Sequence, residues 1–172
     1  MIIGLAGPAG CGKSTLSGEI SRLYGFKAVG FADSLRRIVL KAHPEIKPEW
    51  VHGESKLRAT VLSDGRTVRD IMIATGEALR DEDEDFFLTL PANGDLVVAD
   101  VRFANEAAYI RGRGGFIAWI ARGDNAFAKD RAEYISPADC DFLADNTQSP
   151  EVCAKNIYVN AKKGLREYRT AA

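Results

Sequence analysis

IIGLAGPAGCGKS (Ile2–Ser14) joins a short apolar run to a glycine-rich loop that closes on lysine and serine. Ile2–Ala6, bounded by glycine, reads as a buried strand. Lys13–Tyr24 reads as a helix, with Leu16, Ile20 and Leu23 on one face and Gly25 as its stop. Between them, Gly7–Ser14 matches GxxxxGK[ST]. Each part of that pattern has a physical reason. Glycines let the backbone turn so that successive N–H groups face one anion. The helix that follows presents its positive end to the same place. Lys13 reaches the β- and γ-phosphates of a nucleotide, and the Ser14 hydroxyl is a ligand for Mg²⁺. The expected phosphate-binding set is Gly7, Ala9, Gly10, Cys11, Gly12, Lys13, Ser14 and Thr15. Cys11 reads as a small residue at a variable loop position rather than as a reactive thiol.

Working outward, strands and helices alternate. Phe26–Phe31 is a second strand. A helix follows from an Asp33 cap to about His43, ended by Pro44. Thr67–Arg80 has apolar residues at helical spacing, and a short helix is expected to hold Phe86, Phe87 and Leu90. Leu96–Ala99 is a third strand, Asn105–Arg113 a helix, Phe116–Ala121 a fourth strand and Phe142–Ala144 a fifth. Ser149-Pro150 opens a last helix, with Cys153, Ile157, Ala161 and Leu165 on one face. This alternation predicts an α/β fold with a parallel sheet.

Composition narrows the class. A chain of 172 residues, 46% hydrophobic and 27% charged, reads as one ordinary globular domain with a real core. Lys+Arg is 23 and Asp+Glu 24, a net −1, so no broad basic surface for nucleic acid is expected. Cys11, Cys140 and Cys153 show no metal-ligand spacing, which predicts a reducing, cytoplasmic setting. No apolar run approaches the length of a membrane span, and the N-terminus lacks a signal peptide's basic region. The phosphate-loop motif is shared by motors, GTPases, recombinases and small-molecule kinases. The chain is short for a motor and has no NKxD-type guanine motif. A small-molecule kinase needs, besides the loop, an acceptor site and arginines to hold a second anion.

LVVADVRFANE (Leu96–Glu106) supplies such residues. Asp100 follows an apolar strand, where a carboxylate orients Mg²⁺ or the acceptor. Arg102 lies two residues on and is expected to contact an acceptor phosphate; an ion pair with Asp100 or Glu106 is the structural alternative. Asn105 as helix cap and Glu106 in the first turn compete evenly with a substrate contact. Asp33, at the carboxyl edge of the sheet, suits a sugar hydroxyl or the acceptor phosphate as well as a helix cap, with Arg36 one turn further on.

FADSLRR (Phe31–Arg37), TVRDIMIATGEALR (Thr67–Arg80), VVADVRFANEAAYIRGRGG (Val97–Gly115), FIAWIAR (Phe116–Arg122) and DNTQS (Asp145–Ser149) occur in that order after the phosphate loop. Together they resemble the bacteriophage-type deoxynucleoside monophosphate kinases. That resemblance implies the P-loop kinase fold, three layers around a five-stranded parallel sheet in a single domain. A helical substrate-binding region would lie at about 34–94 and a lid at about 122–139. It implies ATP-dependent, Mg²⁺-assisted phosphorylation of a dNMP, with Arg69 and Arg80 as substrate-binding residues. Arg122, Lys129 and Arg131 are the lid cations, of which Arg122 and Arg131 join Lys13, Asp100 and Arg102 as catalytic candidates. Asn146 would lie by the donor base. Thr75 precedes Gly76 where the family pattern has threonine after the glycine, which leaves base choice open. A homodimer, a kinase similar to dephospho-coenzyme A kinase, and a non-catalytic ATP-binding module also stay open.

Overall fold

The computed structural model describes residues 1–52, 62, 64–123 and 135–171, the side chains of 165–171 excepted. The chain forms two compact units, Met1–Gly30 with Leu90–Ala172, and Phe31–Thr89.

In the first unit, β1 (Ile2–Ala6) is buried at every position and lies at the middle of the sheet. Around it run β2 (Lys27–Val29), β3 (Leu96–Val98), β4 (Phe116–Ala121) and β5 (Phe142–Asp145), giving five strands in the order β2-β3-β1-β4-β5. Every pairing is parallel. β4 is also buried throughout, the continuous apolar pattern of a strand covered on both faces. Ile3 and Leu5 join a core cluster with Leu16 and Ile20 of α1 (Lys13–Tyr24) and Ile157 of α5 (Pro150–Ala171). Gly4, pointing the other way on the pleat, faces Ile110 of α4 (Ala104–Gly112), whose Cδ1 is 3.0 Å from where a Cβ would stand. Helices therefore cover both faces, and the unit has three layers. α1 and α5 are further joined by Tyr24 and Tyr158, whose rings stack at 3.7 Å.

The second unit is helical. α2 (Ala32–Ala42) packs on α3 (Val68–Glu82), and a short 3₁₀ turn covers Pro48–Val51. α3 begins where its sequence says it should. The Thr67 hydroxyl accepts from the Asp70 N–H at 3.1 Å, and the Asp70 carboxylate accepts from the Thr67 N–H at 2.9 Å.

Three local expectations need correction. α2 is not capped by Asp33; Phe31 takes the cap position and Asp33 stands in the first turn. α4 is capped at Phe103 rather than Asn105, because the Glu106 carboxylate reaches back to the Phe103 N–H at 3.2 Å. Phe86–Leu90 is not a helix: Phe86 donates to Asp83 O and Leu88 to Asp85 O, which closes separate turns.

Candidate active site

All strands being parallel, the loops after β1, β3, β4 and β5 leave the same edge of the sheet. That edge carries most of the residues singled out from the sequence.

Gly7 has φ +132°, and a Cβ there would lie 2.5 Å from the Ile120 carbonyl oxygen. Gly12 has φ +102°, and its Cβ would lie 2.4 Å from Asn146 Nδ2. Both positions exclude a side chain twice, by backbone region and by space. Gly10 has φ +79° but nothing within 4 Å of a Cβ. Gly7→Ala is therefore expected to cost about 3 kcal/mol and lower the melting temperature by about 6–12 °C. Gly10→Ala should cost only about 1–2 kcal/mol. Thermal unfolding of the two variants checks the difference.

Lys13, the first residue of α1, is half-buried. Its ammonium donates to the Gly7 and Pro8 carbonyls, the latter at 2.8 Å, and stands 3.7 Å from Cys11 Sγ. Ser14 and Thr15 are exposed on the first turn of α1. The loop thus has the parts a nucleotide's phosphates need: turned backbone, a helix N-terminus and a cation within reach. Cys11 is buried in the core cluster, consistent with a packing residue. Burial pushes the Cys153 thiol up to about 11 and that of Cys140 to about 12, so neither is a thiolate at neutral pH.

After β3 the chain bends at Ala99 and crosses from one neighbouring strand to the other. The Ala99 N–H reaches Val29 O at 3.2 Å, and the Val101 N–H reaches Leu5 O at 3.2 Å on the other side. Asp100 is 9% exposed between these bonds. Its carboxylate occupies the space beside Gly30, where a Cβ would be 2.6 Å from Oδ2. Gly30 was not anticipated from the sequence; a glycine closing an apolar strand is the signal that points to it. Asp100 and the Ser14 hydroxyl offer hard oxygen donors suited to Mg²⁺, which takes one or two protein ligands beside phosphate and water. Among the described residues no group of three or more His, Cys, Asp or Glu gathers as a metal cage.

Arg102 is held by its backbone. Its N–H donates to Glu106 Oε2 at 2.7 Å, and its carbonyl accepts from the Ile135 N–H at 3.1 Å. Glu106 is 3% exposed and binds two backbone donors of its own loop, so it shapes the turn that carries Arg102. The Arg102 Nε is buried without a hydrogen-bond partner. Arg111 and Arg113 have structural duties: Arg111 pairs with Asp141 at 3.1 Å, and Arg113 donates to the Pro91 and Ala92 carbonyls.

Asn146 follows β5 and is buried, with its side-chain amide donating to the Cys11 carbonyl at 2.8 Å. Arg122 follows β4 and is exposed. Lys129 and Arg131 lie outside the described residues, as does most of the segment expected to form a lid. In the helical unit, Asp33 and Arg36 form an ion pair at 2.5 Å. Arg69 is half-buried near the start of α3. Arg80 lies back along α3, donating to Gly76 O at 3.3 Å with its guanidinium 4.6 Å from the centre of the Phe87 ring.

The parallel five-stranded sheet, the glycine loop leaving its central strand and the flanking helices are the P-loop kinase fold. Shikimate kinase from Aquifex aeolicus superposes with a TM-score of 0.58 at 18% identity, covering 95% of this chain and 98% of that one. A Thermus thermophilus protein gives 0.52 at 17%, covering 92% and 95%. APS kinase from Mycobacterium tuberculosis, in complex with AMPPNP and APS, gives 0.49 at 18%, covering 94% and 96%. At such identities the likeness is one of fold. No protein-family model matches the sequence, and no curated protein matches it. No described helix is long and apolar enough to cross a membrane.

Proposed function

We propose that this chain is a phosphotransferase that moves the γ-phosphoryl group of ATP onto a deoxynucleoside monophosphate, giving the diphosphate and ADP. The observation that carries the reading is the Arg102 guanidinium. Its Nε is buried and unsatisfied, on the same sheet edge as the phosphate loop. A buried donor without an acceptor is costly unless a ligand supplies one. A second anion beside a nucleotide's phosphates is what a phosphorylated acceptor brings. The dNMP in particular rests on the resemblance of the DVRFANE segment and the arginine-bearing segments around it.

In this reading the loop N–H groups and Lys13 hold the donor phosphates, and Arg102 holds the acceptor phosphate. Ser14 and Asp100 are the residues that would hold Mg²⁺, which when bound supplies neutralisation of the phosphate charge. An acceptor phosphate oxygen forms a bond to the γ-phosphorus as the bond to the β–γ bridging oxygen breaks, and ADP carries that oxygen away. The protein's part is to align the two anions and screen their repulsion. Asp33, Arg36, Arg69 and Arg80 stay assigned to the acceptor by resemblance, and Arg122 and Arg131 to closure over the transferred group. The Asp33–Arg36 pair and the Arg80–Phe87 stack give two of those arginines packing roles within their own unit as well.

A coupled ADP-release assay with ATP, Mg²⁺ and each of dAMP, dCMP, dGMP, dTMP and base-modified dNMPs tests this. Turnover with at least one is expected. Turnover with dephospho-coenzyme A alone would replace the acceptor, and ATP binding without turnover on any acceptor would remove the activity.

A further inference from the structure

Asn146 is anchored by its backbone and by its side chain. Its backbone N–H extends the β4–β5 pairing by donating to Ala121 O at 2.8 Å. The next N–H, of Thr147, is taken by the Asp145 carboxylate at 3.0 Å, which turns the chain away from the strand. Its side chain, in a residue 7% exposed, donates through Nδ2 to the Cys11 carbonyl at 2.8 Å, across 135 residues of sequence. Gly12 leaves room for that amide, since a Cβ there would stand 2.4 Å from Nδ2.

The consequence follows from peptide geometry. In a trans peptide the carbonyl of one residue and the N–H of the next point in opposite directions, and the described residues include no cis peptide bond. Pinning the Cys11 carbonyl on Asn146 therefore aims the Gly12 N–H directly away from Asn146. Among the described residues no acceptor is bonded to that N–H. It stands one residue before Lys13, at the N-terminal end of α1.

We propose that Asn146 is a positioning residue for the phosphate loop: it sets the Cys11–Gly12 peptide plane so that the Gly12 N–H is presented to a polyphosphate before one binds. Its side chain then acts on the donor's phosphates through the loop and does not read the base. The role expected from the sequence, proximity to the donor base, is replaced by one carried on a hydrogen bond. This inference rests on the phosphate-binding reading of the loop. It gives Gly12 a second duty beyond its backbone region, and it ties the end of β5 to the loop just ahead of α1 through a side chain rather than a ladder bond.

The test uses inorganic tripolyphosphate, ATP and GTP, with affinities measured by titration calorimetry. In Asn146→Asp an ionised carboxylate faces the Cys11 carbonyl and cannot donate. Tripolyphosphate and ATP affinities should both fall, by roughly 10- to 100-fold, with the ATP-to-GTP ratio unchanged. The introduced carboxyl is buried, so its pKa is raised, and once neutral it donates an O–H to the same carbonyl. The deficit relative to the wild type should therefore shrink as the pH is lowered from about 8 to about 5.5, a recovery that mere loss of packing would not show. Asn146→Ala, which only deletes the donor, should show the affinity loss without the recovery and keeps the test available if Asn146→Asp does not fold. Unchanged tripolyphosphate affinity in the variants, or a change confined to the ATP-to-GTP ratio, overturns the assignment while the phosphate loop stands. A wild-type chain that binds no tripolyphosphate overturns the phosphate-binding reading and this assignment with it.

Discussion

Lys13→Ala is expected to lower kcat for phosphoryl transfer roughly 10³-fold while leaving a folded protein. The ammonium now rests on the carbonyls of Gly7 and Pro8, inside the concavity its own loop makes. A polyphosphate entering that loop offers far stronger acceptors than two neutral carbonyls, so the lysine exchanges one set for the other without moving far. Its charge matters most as the β–γ bond breaks, when negative charge grows on the leaving oxygens. Deleting it therefore costs more in the transition state than in the bound ground state. The fold should feel little. The Pro8 carbonyl keeps the Cys11 N–H at 3.3 Å, and losing the ammonium's two partly buried hydrogen bonds should cost about 2 kcal/mol. Single-turnover kinetics beside a melting curve separate these effects. A variant with near-wild-type turnover would remove Lys13 from the chemistry.

How much of this was legible beforehand depends on how local each feature is. β1, its loop and α1 were readable to the residue, because the apolar run, the glycines and the Lys-Ser pair lie within one short stretch. The start of α3 was readable for the same reason: Thr67 and Asp70 satisfy each other's backbone within one turn. The caps of α2 and α4 were not. Asp33 and Asn105 are good cap residues by type. Yet the Asp33 carboxylate is taken by Arg36, and Glu106 reaches past Asn105 to the N–H groups of Arg102 and Phe103. Competing local partners decided both, and type alone does not rank them. Phe86, Phe87 and Leu90 misled in another way, since Phe86 and Leu90 have the four-residue spacing of one helix face but the segment closes turns instead.

The site divides along the same line. Residue types suited to phosphate, metal and acceptor could be picked from the chain because the chemistry restricts them. Their partners could not, because those lie far away in sequence. Nothing near Asn146 hints at Cys11, and nothing near Asp100 hints that Gly30 makes room for its carboxylate. Such pairings arise only when parallel strands bring distant loops to one edge.

Arg102 is the residue on which the acceptor reading turns, and replacing it distinguishes charge from geometry. Arg102→Ala should raise KM for the acceptor by roughly 10- to 100-fold, the worth of a charged hydrogen-bonded contact, with ATP affinity held within about twofold because the loop's own donors are untouched. Arg102→Lys keeps the positive charge but moves it to a point at the end of a flexible stem. The unsatisfied atom is Nε, a donor set back from the guanidinium tip, and lysine has nothing at that position. The lysine variant should therefore recover only a minor part of the loss, and the recovered part should weaken as salt is raised, since what remains is unguided attraction. The backbone bonds of Arg102 to Glu106 and Ile135 do not involve its side chain, so neither variant should unfold the loop that presents Asp100. Acceptor and ATP titrations of both variants across a salt series supply the comparison. Full rescue by lysine would mean that Arg102 contributes field rather than a fork, and unchanged acceptor KM in the alanine variant would move the second anion elsewhere.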